Sequence, residues 1–105
     1  MLTQPIISVI TINYNDGDKL ARTIKSVINQ DYNFIEYIVV DGFSTDQSLA
    51  VANRYAHKLT VISEPDKGLY DAMNKGIKRA SGEWLIFMNS GDCFYNRFVL
   101  STIFS

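Results

Sequence analysis

Asp92 closes the stretch Asn89-Ser90-Gly91-Asp92, four small or polar residues set directly after the apolar run Trp84-Leu85-Ile86-Phe87-Met88. A carboxylate held at the end of a strand suits a hard cation, because Mg2+ and Mn2+ take oxygen ligands and share them with substrate phosphates. The same four residues are ordinary turn formers, so the other reading of Asp92 is a loop carboxylate that caps the next helix. Three more polar stretches follow apolar runs: Asn13-Tyr14-Asn15, Asp41, and Asp66-Lys67-Gly68. Tyr14 offers a ring for a base, Asp41 an acceptor for a hydroxyl or ring N–H, and Lys67 an ammonium for phosphate. Together they describe a phosphorylated ligand held in part through a metal. Spacing alone does not separate a nucleotide-sugar from another phosphorylated ligand.

Those residues need strands to carry them. Residues 6–12 are rich in β-branched side chains and predict a first strand; residues 34–40 predict a second, ending at Asp41, and residues 60–63 a short third. The run 84–88 predicts a fourth, buried on both faces because its apolar residues do not alternate. Between them lie helical stripes. Leu20, Ile24, Val27 and Ile28 share one face of a first helix, whose free amides Asp16 or a neighbour would accept. Ser44 and Gln47 have capping-box spacing and predict the start of a second helix, continued by Leu49, Ala52, Tyr55 and Ala56. Leu69, Ala72, Met73, Gly76, Ile77 and Ala80 form a third stripe, with Gly76 marking close helix–sheet packing and Gly82 a stop. The order β-α-β-α-β-α-β predicts an α/β fold with a parallel sheet and right-handed crossovers. In such a sheet the carboxyl ends of all strands share one rim, and ligands bind in the crevice beyond it.

Composition bounds the remaining possibilities. The 105 residues are 47% hydrophobic and 20% charged, which describes one globular domain of modest size for an enzyme with two substrates. A net charge of -1 gives no basic field for a nucleic acid. The single cysteine, Cys93, excludes an internal disulfide and is expected to be a packed or inert thiol, and His57 is expected near a helix C-terminus on the surface. No apolar run approaches a membrane span and no signal-peptide pattern opens the chain, which predicts a cytoplasmic protein. Residues 93–105 carry Phe94, Phe98, Val99, Leu100, Ile103 and Phe104. That tail is either the start of a helix whose partners lie in further sequence, or it docks on this domain or on a second copy to form a homodimer.

The ordered stretches Ser8 to Asn15, Val39 to Asp46, Glu64 to Gly76 and Gly82 to Asp92 resemble the successive signatures of the family 2 inverting glycosyltransferases, over nearly the whole chain. The resemblance implies a truncated GT-A (Rossmann-like) three-layer sandwich that forms the nucleotide-sugar-binding portion of such an enzyme, residues 1–105, without the acceptor half. It implies that Tyr14 and Asn15 line the nucleotide pocket, that Asp41 contacts the nucleoside, and that Asp66, Lys67 and Asn89 complete the nucleotide-binding set. Asp92 would ligate Mn2+ or Mg2+ on the diphosphate of a UDP- or GDP-linked sugar. The catalytic base is expected beyond Ser105, and the acceptor is a saccharide or a lipid-linked sugar, with the full-length protein peripheral at the inner face of the membrane. Asn89 and Gly91 stand where many members carry acids, Gly42 where many carry a second Asp, and Met73 where an arginine is common. The alternative is a non-catalytic, self-associating remnant. A nucleotidyltransferase on a related fold would require a glycine- and basic-rich loop after the first strand, where this chain has Asn13-Tyr14-Asn15-Asp16-Gly17-Asp18.

Overall fold

Four parallel strands in the order β3-β2-β1-β4 form the sheet of the computed structural model, which describes residues 4–104. β1 (Ile7–Asn13) and β2 (Ile35–Asp41) pair along their whole length, from Ile7 opposite Ile35 to Asn13 opposite Asp41. β3 (Thr60–Ser63) pairs with the end of β2, placing Ser63 opposite Asp41, and β4 (Trp84–Phe87) pairs with the start of β1. Helices α1 (Gly17–Ile28), α2 (Ser48–Asn53) and α3 (Leu69–Arg79) fill the three connections, and α4 (Val99–Ile103) follows β4. The α/β alternation is the one the sequence predicts.

Strand periodicity divides the apolar residues of β1 between two faces. Ile7 and Val9 meet Leu20, Ile24 and Val27 of α1, Val51 and Ala52 of α2 and Leu100 of α4 in the larger core cluster. Ile10 faces the other way and joins Ile38, Val40 and Ala72 of α3. A Cβ at Gly76 would lie 2.6 Å from Ile10 Cγ2, so a hydrogen at this position is what lets α3 settle on the sheet, as expected.

The edge strand corrects one expectation. β4 was expected to be covered on both faces, yet Trp84 and Leu85 are 56% and 42% exposed. It is a margin strand paired to β1 alone, and α3 lies mainly over β1 and β2, so on that face Phe87 packs against the Ile10–Ala72 cluster while Leu85 stays exposed. For the same reason only Ala72 and Gly76 of the α3 stripe are buried, while Leu69 and Ile77 stay exposed.

Helix starts and stops also differ from the local reading. α2 begins at Ser48, and no side chain of Gln47 caps it. Ser44 Oγ instead donates to Asp41 Oδ1, and Asp46 takes over the capping of two helices. Its Oδ1 accepts Ser48 N, and its Oδ2 accepts Gly17 N at 3.0 Å, where Asp16 had been expected to serve α1. Tyr55 and Ala56 fall in turns past the end of α2. Gly82 is not the α3 stop, since α3 ends at Arg79 with Ala80 extended. A Cβ on Gly82 would lie 2.5 Å from Ser8 Oγ and 2.7 Å from Ser8 N, so the residue serves close approach to β1. There Glu36 accepts Ser8 Oγ, Ser81 N and Ser81 Oγ, closing the amino-terminal edge of the sheet.

The tail docks on its own domain: Leu100 is fully buried, and Phe94 and Phe104 pack against the same cluster. Cys93, expected to be packed or inert, is exposed; His57 is exposed just after α2, as expected. No helix among the described residues is long and apolar enough to cross a membrane.

Candidate functional site

Asn13 and Asp41 are register partners at the carboxyl ends of the two central strands, and both side chains are buried. Asn13 Nδ2 donates to Asp41 Oδ1 at 3.0 Å, and Asn13 Oδ1 accepts Ser90 Oγ at 2.6 Å. Asp41 also accepts Ser44 Oγ on Oδ1, and on Oδ2 it accepts Ser44 N at 2.8 Å and Ser63 Oγ at 3.1 Å. A buried carboxylate is tolerated where donors surround it, and here the donors come from three different chain segments. The pair thereby knots the loops after β1, β2 and β4 and the end of β3 into one rim.

Asn15 extends the knot. Its N–H donates to Ser44 Oγ at 2.9 Å, and its Oδ1 accepts Thr45 N at 2.8 Å and Asp46 N at 3.3 Å. Each of the four rim loops contains one residue at positive φ: Asn15 (51°), Phe43 (67°), Gly68 (112°) and Gly91 (101°). For phenylalanine this conformation costs about 1–3 kcal/mol and persists only where the surroundings hold it. The flanking bonds of Asp41 and Ser44 do so.

The expected site residues divide into two sets. Tyr14, 61% exposed, lines an open cleft of about 290 Å3 with Ile12, Asn13, Asp66, Gly68, Leu69 and Ala72. A Cβ at Gly42 would stand 2.8 Å from Asp66 Oδ2 and 3.3 Å from Tyr14 Cδ1, so this glycine lets the ring and the carboxylate come together. Lys67 is exposed on the same loop, which Lys75 pins to α3 through Pro65 O at 2.6 Å and Glu64 at 3.2 Å. Asn89 and Asp92 are exposed on the β4 loop, where Asn89 N donates to Asp92 Oδ2 at 3.0 Å. Asp41 and Asn15 belong to the other set. Asp41 is buried beneath the rim and Asn15 is exposed on it, and the side-chain oxygens of both already accept hydrogen bonds.

Asn13 and Ser90 were placed on the rim by the local reading without a role, and Ser44, Ser63 and Thr23, which hold it together with them, were missed as rim residues. Asn13 alone carried a signal: it continues the inward phase of Ile7, Val9 and Thr11.

Asp46 links the rim to pH. The Ser48 hydroxyl, then the Gly17 and Ser48 amides, hold its carboxyl below the usual carboxylate range against the opposing effect of burial. A depressed folded pKa contributes stability that is full above the unfolded value, about 3.9, and is lost as pH falls through the lower folded value. Asp46→Asn is therefore expected to melt below wild type at pH 7, with the difference closing below about pH 4. A pH series of thermal melts checks this, and a difference that stays constant with pH would contradict it.

The sequence profile described as "Glycosyl transferase family 2" matches residues 8–103. The chain belongs to this family. An uncharacterized glycosyltransferase of Mycobacterium tuberculosis, Rv1514c, is 49% identical over 96 residues, covering 90% of this chain and 37% of that protein. Among solved structures, Staphylococcus aureus TarS 1-349 in complex with UDP-GlcNAc aligns with a TM-score of 0.86 at 31% identity, over 93% of this chain and 30% of that one. The mannosyltransferase PcManGT of Pyrobaculum calidifontis, in complex with GDP-Man and Mn2+, aligns with a TM-score of 0.84 at 26% identity, over 90% and 30%. The sheet and its helices are those of the GT-A fold. This family 2 chain spans about a third of the length of the proteins it matches.

A divalent cation, implied by the family, fits the residues present in one way. Among the described residues no three His, Cys, Asp or Glu groups are placed to hold an ion together. A single exposed carboxylate suits an ion that keeps several waters and takes its remaining ligands from substrate phosphates. Asp92 meets that description.

Proposed function

We propose that this chain is the donor-binding portion of a glycosyltransferase that moves a sugar from a UDP- or GDP-linked donor to an acceptor hydroxyl, with inversion. The observation that carries this reading is the single knotted rim, which sets the Tyr14–Asp66 cleft beside the Asn89–Asp92 turn on a family 2 scaffold. Tyr14 presents its ring to the base. Asp66 and Asn89 supply an acceptor and an amide for ribose and phosphate, Lys67 faces the diphosphate, and Asn15 shapes the wall. Asp41 reaches the nucleoside by exchanging one of the hydrogen bonds it now accepts. Asp92 would hold Mn2+ or Mg2+, which supplies Lewis-acid neutralisation of the departing nucleoside diphosphate.

The acceptor hydroxyl attacks the anomeric carbon from the face opposite the diphosphate and loses its proton to a carboxylate outside these 105 residues. A saccharide or lipid-linked acceptor, in polysaccharide or glycolipid synthesis at the cytoplasmic face of a membrane, fits this reading. Phe98 and Ile103, exposed on the docked tail itself, are the groups through which a homodimer would form. Thermal melts with UDP-GlcNAc, GDP-mannose and the free nucleotides, each with Mn2+, test the proposal. At least one is expected to raise the melting temperature by mass action. No shift with any of them would count against it.

A further inference from the structure

Flanking its apolar face, α1 carries a polar seam that the sequence pattern hides. Thr23 and Ser26 fall at i and i+3, Gln30 follows just past the end of the helix, and each bonds to the backbone of the segment after β4. Thr23 Oγ1 donates to Asp92 O at 2.8 Å and accepts Gly91 N at 2.9 Å. Ser26 Oγ accepts Phe94 N at 2.7 Å; Gln30 accepts Leu100 N at 3.1 Å and donates to Asn96 O at 2.6 Å. The strap from Gly91 to Leu100 is thus fixed by side chains that are not its own.

We infer that Thr23 is a positioning residue for Asp92, its hydroxyl setting the turn on which the cation-holding carboxylate stands. This rests on the donor-binding reading. Asn89, Gly91 and Asp92 are exposed, and Gly91 has no side chain to pack, so the turn has no apolar anchor of its own. Its Ser90 half is held independently, by Ser90 N on Ile12 O and Ser90 Oγ on Asn13 Oδ1. The Gly91–Asp92 half is held to α1 by Thr23, which is fully buried and uses one hydroxyl as donor and acceptor at once. Removing that hydroxyl leaves the Tyr14–Asp66 cleft untouched and unties the Gly91–Asp92 half of the turn from α1, so that Asp92 keeps only its bonds to Asn89 within the turn. Groups that orient a metal ligand are worth about 10–100-fold in metal affinity.

The test titrates UDP and GDP into wild type, Thr23→Val, Thr23→Ser and Ser26→Ala, each with Mn2+ and with EDTA, and reads the ratio of the dissociation constant in EDTA to that in Mn2+. Thr23→Val is expected to lower that ratio about tenfold or more, with binding in EDTA unchanged, and Thr23→Ser to restore it. Ser26→Ala, which touches Phe94 and not the turn, should lower the melting temperature and leave the ratio alone. Thr23→Ala repeats the test with a smaller side chain, so the result does not depend on valine being accommodated. A folded Thr23→Val or Thr23→Ala protein with the wild-type ratio overturns the inference while the donor reading stands. A ratio lowered equally by Ser26→Ala overturns it as well, since general loosening would then explain the loss. Wild type that binds neither nucleotide, or binds without regard to Mn2+, removes the reading and the inference together.

Discussion

Asp41→Ala is expected to cost about 3–4 kcal/mol of stability, the largest loss from any single rim residue. The substitution deletes one carboxylate and strands four donors: Asn13 Nδ2, Ser44 N, Ser44 Oγ and Ser63 Oγ. A fully buried unpaired donor costs about 1–3 kcal/mol. The serine groups are only partly buried and can recover water, so the sum stays well below four full penalties. Asn13 is buried and has no such recourse, which sets the floor. Asp41→Asn keeps one acceptor oxygen but turns an amide toward groups that already donate, and is expected to lose about half as much. Urea unfolding at pH 7, with the slope held equal among variants, measures both. A loss below about 1 kcal/mol for Asp41→Ala would mean that the carboxylate does not knot the rim.

Leu100→Ala is the second large effect, at about 2–4 kcal/mol, or roughly 10–20 °C in melting temperature for a chain of this size. Leu100 is fully buried in the cluster formed by α1, α2 and the sheet, although it lies in a helix of five residues near the end of the chain. So short a helix has little stability of its own. The cost arises from the cavity left in that cluster, not from the helix. Ile103→Ala, at a side chain 64% exposed, is expected to change stability by less than about 0.5 kcal/mol. The contrast separates docking on the same domain from exchange between copies. If the tail served mainly to pair two chains, Leu100→Ala would alter the concentration dependence of melting more than melting itself.

What the chain reveals locally and what it conceals follow from the range of the interactions. The β-branched runs of β1 and β2 and the Leu20-Ile24-Val27 stripe are local patterns of a few residues, and they appear where the pattern places them. β4 was misread because a continuous apolar run records how hydrophobic a strand is, not how many elements cover it. The helix caps were misread because Asp46 serves Gly17 across 29 residues, and no spacing rule reaches that far. The same holds at the rim. Tyr14, Asp66, Asn89 and Asp92 stand out as polar residues after apolar strands, while the bonds that place them, Asn13 to Ser90 across 77 positions and Thr23 to Asp92 across 69, leave no local trace. Asp41 shows the same limit: its type and place at a strand end are legible, while its donors Asn13 and Ser63, 28 and 22 positions away, are not.

The central claim is that this rim holds a nucleoside diphosphate through a cation on Asp92. Calorimetric titration of UDP and GDP, with Mn2+ and with chelator, into wild type and Asp92→Ala tests it most directly. The account predicts binding of at least one nucleotide that weakens about tenfold or more when the ion is removed, and an Asp92→Ala protein that binds no better with Mn2+ than without. A folded wild-type chain that binds neither nucleotide, or an Asp92→Ala variant that keeps the full effect of Mn2+, would contradict it.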